Sequence, residues 1–327
     1  MRFGVFLITG RFPGQTDADA LTRTERAIAA AEEAGFADAW LAEHHFMPYG
    51  VCPSAVTLAA HALGATSRIE IGTAVSVLST NHPVALAEQW AMLDLVSGGR
   101  FRLGVGRGGP WRDLEVFGTG VPRYEHGFAE GLDLLLRATA DERVHADGAH
   151  FSFREVPIVP KSPRRCAPVV ACGAPDSDAV RVAAERGLPL LLGLHAADDE
   201  KAETVRRYGP ANPGHISTVL CEVADDREAV LRRLRAAMPG WLDAGLAAHV
   251  PVAGRSRPTR DPVAYTEKLC RIHPVGSADD CVAKLAESAR RTGVEHVIMM
   301  VEGSGDRAEE NIRRIGAEIL PRLSGNA

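Results

Sequence analysis

The sequence predicts an α/β chain folded as a single (β/α)8 TIM barrel over residues 1–327. Three observations carry that expectation. Short β-rich runs alternate with longer helical stretches about eight times, the pattern of parallel strands joined by crossover helices. No linker and no break in composition divides the chain, and 327 residues is an ordinary length for one such barrel. Apolar residues make up 46% and charged residues 24%, which supplies a sizeable core and argues against disorder. An open doubly wound sheet uses the same alternation with fewer units, so the count favours closure.

The elements follow in order. Arg2–Ile8 reads as the first strand. Asp17–Ala34 reads as a helix, with Leu21, Ile28 and Ala31 on one face and Gly35 as its stop. Ala37–Ala42 reads as a strand and Pro53–Thr66 as a helix. Ile69–Val77 is strand-like, and Val84–Ser97 is a helix ending in a Gly-Gly turn. Phe101–Gly106 reads as the fourth strand, followed by a long loop and a helix from Glu125 to Arg137. His150–Val156 reads as a small β excursion. Val169–Cys172, Leu188–Leu192 and Ser217–Val223 read as strands, with helices at Ser177–Arg186 and Arg227–Ala237. Residues 240–276 are rich in Pro, Gly and Arg without a steady period, and read as an excursion or mobile loop. Ala278–Thr292 is a helix, His296–Val301 the last strand and Ala308–Leu323 the closing helix.

Composition excludes several function classes. The net charge is −5, from 37 basic and 42 acidic residues, and the basic residues are scattered. Nucleic acid and anionic membranes are therefore not expected partners. Six cysteines form no C-x-x-C pair and no zinc pattern, so they read as thiols of a reducing compartment and no metal is expected. The N-terminus carries only a short apolar run, and no stretch has the length of a membrane helix, so the expected location is the cytoplasm.

In a (β/α)8 barrel, chemistry sits where strands end at the C-terminal face. That rule selects Glu43-His44-His45-Phe46, after the second strand. Histidines there are placed to move protons near neutral pH, and adjacent ones on extended backbone point opposite ways. Two satisfied or surface histidines fit the same spacing, and spacing alone does not separate the readings. Gly104-Val105-Gly106-Arg107-Gly108-Gly109 matches G-x-G-x-x-G, but Pro110 and Trp111 follow it where a dinucleotide site needs a helix. The glycines instead admit a flat or phosphorylated ligand to the backbone, and Arg107 offers a fork for a phosphate. Gly173-Ala174-Pro175-Asp176-Ser177 opens a helix; it reads as an anion site or as a plain cap. Ile71–Val75 reads as barrel core, and the wall expected from Phe6, Ile8, Val75 and Trp111 is apolar.

Together these strings resemble the bacterial luciferase-like flavin-dependent monooxygenases, most of all the luciferase α subunit. The resemblance is densest in Ala34-Gly35-Phe36 with Trp40-Leu41 and Glu43–Phe46, in Gly72-Thr73-Ala74 with His82-Pro83-Val84, in Gly99–Gly108 with Val116–Thr119, and in His273-Pro274-Val275-Gly276. It implies a barrel that binds reduced FMN (FMNH2) at its mouth and takes dioxygen as co-substrate. A flavin C4a-hydroperoxide would oxygenate a small, largely apolar organic molecule. A separate NAD(P)H-dependent flavin reductase would supply the cofactor. By position, His44 matches the catalytic base. Arg107 matches a phosphate-binding arginine, and Glu43, Gly173, Ala174, Pro175 and Ser177 fall in the cofactor site. Ala74-Val75 matches a non-prolyl cis peptide against the flavin ring. His45 joins the substrate pocket or a dimer contact, and Glu88 lies on the dimer side. The resemblance also implies a homodimer through the helices near residues 54–66 and 84–97. Three positions depart from the pattern. Gly106 stands where luciferase has a reactive cysteine. Glu125 stands where it has a second phosphate-binding arginine, for which Arg123 is the candidate substitute. Gly173–Ser177 aligns only with a one-residue shift. Ordinary oxygenation is expected rather than a luminous role. A deazaflavin-dependent oxidoreductase on the same barrel, and a non-catalytic flavin-binding subunit, are the alternatives.

Overall fold

The computed structural model describes residues 1–164, 167–252 and 260–323. Its main sheet has ten hydrogen-bonded strand segments, which are eight barrel strands because two are interrupted. They are β1 (Arg2–Leu7), β2 (Asp38–Leu41), β3 (Glu70–Thr73 and Ser76–Val77) and β4 (Phe101–Arg102 and Gly104–Gly106). Then come β5 (Val169–Cys172), β6 (Leu190–Leu192), β7 (Ile216–Leu220) and β8 (His296–Met300). All neighbours run parallel and the ring closes. Gly4 pairs with Asp38 on one side and Ile298 on the other, Ser76 pairs with Val105, and Gly104 pairs with Val169.

The strands are apolar on both faces, as parallel strands covered by helices must be. Val5, Leu7, Ala39 and Leu41 point outward into the layer beneath the helices. Phe6, Trp40, Val169, Leu191, Ile216 and Ile298 fill the barrel interior. Trp40 fits because Gly72 faces it, where a Cβ would stand 2.4 Å from the indole. At the opposite end from the site, the buried Asp38 accepts from Trp40 Nε1 at 2.7 Å and from Arg2 Nε at 2.7 Å.

The helices follow the expected places with sharper ends. Asp17–Glu33 starts on a Thr16–Asp19 capping box, and Pro83–Ser97 ends on Gly98 at φ 68°. The small β excursion is an antiparallel hairpin, Arg143–Asp147 with Ser152–Pro157. Ser217–Val223 divides: Glu222–Val223 leaves the barrel and pairs with Val275–Gly276. The expected break after Ala237 is absent. That helix runs Arg227–Ala247 through Pro239, so the proline does not end it. A second helix, Pro262–Ile272, starts on Asp261 as N-cap with proline at its first turn. The excursion over 240–276 is thus largely helical, and residues 253–259 lie outside the described residues. A further helix, Asp198–Tyr208, was not expected; its run of charges conceals a face formed by Ala202 and Tyr208.

Candidate functional site

The C-terminal ends of the strands open into one cavity of about 1790 Å³. Among the expected site residues, Phe6, Ile8, Glu43, His44, His45, Ala74, Val75, Gly106, Arg107, Trp111, Gly173, Ala174 and Ser177 line it. Pro175 and Arg123 do not. Arg123 is engaged elsewhere: its guanidinium donates to the carbonyls of Leu78 and Asn81 and lies 4.6 Å from the Phe151 ring centroid. That placement makes it a brace for the turn after β3, outside the cavity lining.

The floor on one side is flat. The Ala74–Val75 peptide is cis, as the resemblance implies. Opposite it, Gly106 leaves no room for a side chain, because a Cβ would stand 2.7 Å from Val75 Cγ2. A cysteine at this position would displace Val75, which is a physical reason for the glycine. Nearby, Glu43 is almost fully buried and accepts from Val77 N at 3.1 Å and Asn81 Nδ2 at 3.2 Å. It therefore fixes the segment that follows the cis bond.

At the ends of β4 and β5 the wall carries groups that could hold an anion. Arg107 packs over Tyr124 at 4.7 Å. Ser177 is the N-cap of Asp178–Glu185, yet its hydroxyl makes no cap bond and is buried without a partner. Such an orphaned donor beside free helix N–H groups suits a phosphate. These features fit the FMN phosphate and the cis-peptide floor fits a flat ring, so the residues present suit the cofactor.

The acid–base candidate stands after β2. The His44 ring is edge-on to Tyr49, centroids 5.0 Å apart. Its Nδ1 is sealed from solvent without a partner, packed where Gly50 leaves space. Nε2 is left as the nitrogen that a ligand can meet. Burial holds its pKa down to about 3, with like charge from His249 and His45 adding to the effect. The ring is thus neutral at physiological pH. His45 turns the other way, against Phe117 at 4.9 Å, with Nε2 3.8 Å from Glu43. Burial also raises the Asp113 carboxyl above its ordinary range.

Several lining residues escaped the sequence reading. Tyr49 stacks on Trp241 at 4.9 Å and 9°, so the long helix Arg227–Ala247 holds the ring that touches His44. His195, His249, Arg260, Tyr265 and Lys268 also line the cavity. Across the mouth, Val252 N donates to Pro110 O at 2.9 Å, Trp111 pairs with Pro251 in a single β-bridge, and the Trp111 and His249 rings meet at 4.8 Å. The loop after β4 and the end of the long helix are therefore tied together. The Asp261-Pro262 start signal was the sequence cue that would have found the second helix and its Tyr265 and Lys268.

Comparison with known proteins agrees with this geometry. The profile of the family described as luciferase-like monooxygenase matches residues 1–296. The chain is 28% identical to the alkanal monooxygenase alpha chain of the Kryptophanaron alfredi symbiont, over 99% of this chain and 98% of that one. It is 27% identical to the alkanal monooxygenase alpha chain of Photobacterium leiognathi, covering 95% and 96%. Among solved structures, the monooxygenase RslO1 from Streptomyces bottropensis superposes with a TM-score of 0.85 at 22% identity, covering 98% and 99%. An F420-dependent secondary alcohol dehydrogenase superposes with a TM-score of 0.76 at 19% identity, covering 98% of each chain.

Proposed function

The chain belongs to the luciferase-like monooxygenases, and from that premise we propose that it uses reduced FMN and dioxygen to oxygenate a small organic substrate. The observation that carries the FMN part is the anion-ready wall of Arg107 and the unpartnered Ser177 hydroxyl, set beside the flat Ala74–Val75 floor. Arg107, Ser177 and the first N–H groups of Asp178–Glu185 would hold the phosphate, and Ala74, Val75 and Gly106 would face the ring. Bound there, the reduced flavin supplies electrons that activate dioxygen for transfer of one oxygen atom.

The chain's own residues do the rest. The apolar interior from Phe6, Ile8 and Val75 excludes water from the reacting face. His44 Nε2 takes up and returns a proton at the substrate; because its cationic form is disfavoured, it holds that proton only briefly. Tyr49 and Gly50 fix the ring's direction. As further parts of this reading, a separate NAD(P)H-dependent flavin reductase supplies the cofactor, and two copies pair through the helices Ala55–Ala65 and Pro83–Ser97. The second helix leaves Met92, Leu95 and Val96 exposed.

The test is an anaerobic titration with reduced FMN, followed by an oxygen pulse and stopped-flow absorbance. Tight binding and a flavin reoxidation course altered by the protein support the proposal. Hydride transfer to F420 without oxygen, with no FMN binding, overturns it in favour of the deazaflavin alternative, F420 being the cofactor of the structurally similar secondary alcohol dehydrogenase.

A further inference from the structure

The cavity holds two groups of cations, and the reading above uses one. Arg107 stands at the end of β4, with the cofactor-facing wall, and Arg181 lies nearby in the helix after β5, paired with Asp178 and Glu185. Arg260 and Lys268 reach the same cavity from the second helix of the excursion, inserted between β7 and β8. In the ring of strands that is the other side of the mouth from the β4–β5 junction.

The acids nearest in sequence to these two cations are occupied elsewhere. Glu267 is held by Arg235 at 2.6 and 3.0 Å, on the outer face. Asp261 caps its own helix by accepting from Ala264 N at 2.6 Å. Among the described residues, neither Arg260 nor Lys268 forms an ion pair with a carboxylate, and Arg260 rests on the Tyr265 ring at 5.0 Å. Their field is nevertheless felt inside. Burial lowers the His195 pKa first; the Gly173 carbonyl and Glu200 work against that, and Arg260 and Lys268 lower it further. Burial raises the Tyr49 phenol, and Arg260 pulls against that rise.

Arg260 is exposed and Lys268 half-buried, and Glu200 lines the same cavity, but two cations that the described residues hold in no ion pair at its rim are suited to an incoming anion. Three aromatic rings line the same cavity: Tyr49 against His44, Tyr265 under Arg260, and Trp111. Flat rings favour a flat ring. We propose that the substrate is an aromatic compound bearing an ionised acid group, with Arg260 and Lys268 holding that group and the ring lying along Tyr49 and Trp111. The idea that this ligand is what becomes oxygenated rests on the flavin reading; the anion site itself does not. The apolar wall expected from sequence then forms only part of the substrate surface.

The test uses FMN-loaded protein and two probes of equal shape, naphthoate and its methyl ester, followed by tryptophan fluorescence. Wild type should bind the acid at least about tenfold tighter than the ester, the order expected for one charge-assisted contact. Added salt should erode that preference. In Arg260→Gln/Lys268→Gln the preference should vanish, while ester affinity and FMN affinity hold. Equal affinity for acid and ester, binding of neither, or loss of FMN affinity in the double variant would each overturn the proposal. If wild type binds no FMN, the flavin reading fails by itself, and the same probe pair on cofactor-free protein still decides the anion site.

Discussion

The His44 imidazole stands edge-on to the Tyr49 ring, with centroids 5.0 Å apart and planes at 87°, and Tyr49 in turn lies flat on Trp241. The histidine proposed as proton carrier is thus positioned by a helix almost two hundred residues away, whose Trp241 Nε1 also donates to Tyr49 O at 3.0 Å. His44→Ala should lower coupled oxygenation by about 100- to 10,000-fold, the range for loss of a general acid–base group. FMN affinity should stay within about twofold, because no phosphate contact is lost. Product formed per flavin oxidised is the readout; undiminished turnover would remove His44 from the mechanism.

Gly50→Ala tests the same ring without touching its chemistry. The new Cβ would stand 2.7 Å from His44 Nδ1 and 2.5 Å from Ile8 O, so the imidazole must move. Turnover should fall about tenfold or more, since small misplacements at a reacting group are costly. The pH profile should keep its wild-type shape.

Arg107→Ala should weaken reduced FMN binding by about 10- to 100-fold, equivalent to roughly 1.5–3 kcal/mol for a hydrogen bond to a charged group. Riboflavin, which has no phosphate, should lose little. Equal losses for the two flavins would mean that Arg107 acts on the ring or on folding instead.

Gly106→Cys restores the residue type found in luciferase and should be destabilising here. With Val75 Cγ2 only 2.7 Å from the new Cβ, overpacking should cost about 1–3 kcal/mol. A chemical melt reads that cost, and FMN titration should show weaker binding because Val75 is pushed into the ring's space. A variant as stable as wild type would mean the strand shifts to absorb the sulfur.

Acid should destabilise the fold through buried histidines. Burial holds both His44 and His273 down to about 3, against an ordinary value of 6.5. Between those limits the unfolded chain binds protons that the native chain does not. Their contribution is therefore complete above pH 6.5 and is lost as pH falls toward 3, at about 1.4 kcal/mol per pH unit for each. His44→Gln should reduce the slope of urea-melt stability against pH over this window. An unchanged slope would show that His44 protonates freely in the native state.

Much of this was legible in the sequence because barrel strands announce themselves. Val5–Leu7 and Val297–Met300 are apolar on both faces, and each is bounded by a capped helix or a glycine turn. Glu43–His45 and Gly106–Arg107 were selectable because they sit directly after strands, where the fold puts chemistry. Local pattern fails at Pro239, where a proline sits inside a helix, and at Asp198–Tyr208, where charge obscures the buried side. It fails most at Tyr49, His195, Arg260 and Lys268. Their shared cavity is a product of ring closure, and nothing in the chain near any one of them states it. Arg123 shows the converse: a plausible residue type close to the right position, committed by Leu78 and Asn81 to another duty.

The tie between Pro110 and Val252 joins the loop that carries Arg107 to the segment that follows the helix steadying Tyr49. Drawing residues 249–252 aside also tugs on Trp111 and the backbone next to Arg107. Whatever occupies the cavity beside Arg107 and whatever lies against Tyr49 therefore press on one shared piece of backbone, so that occupancy of either place is expected to alter affinity at the other.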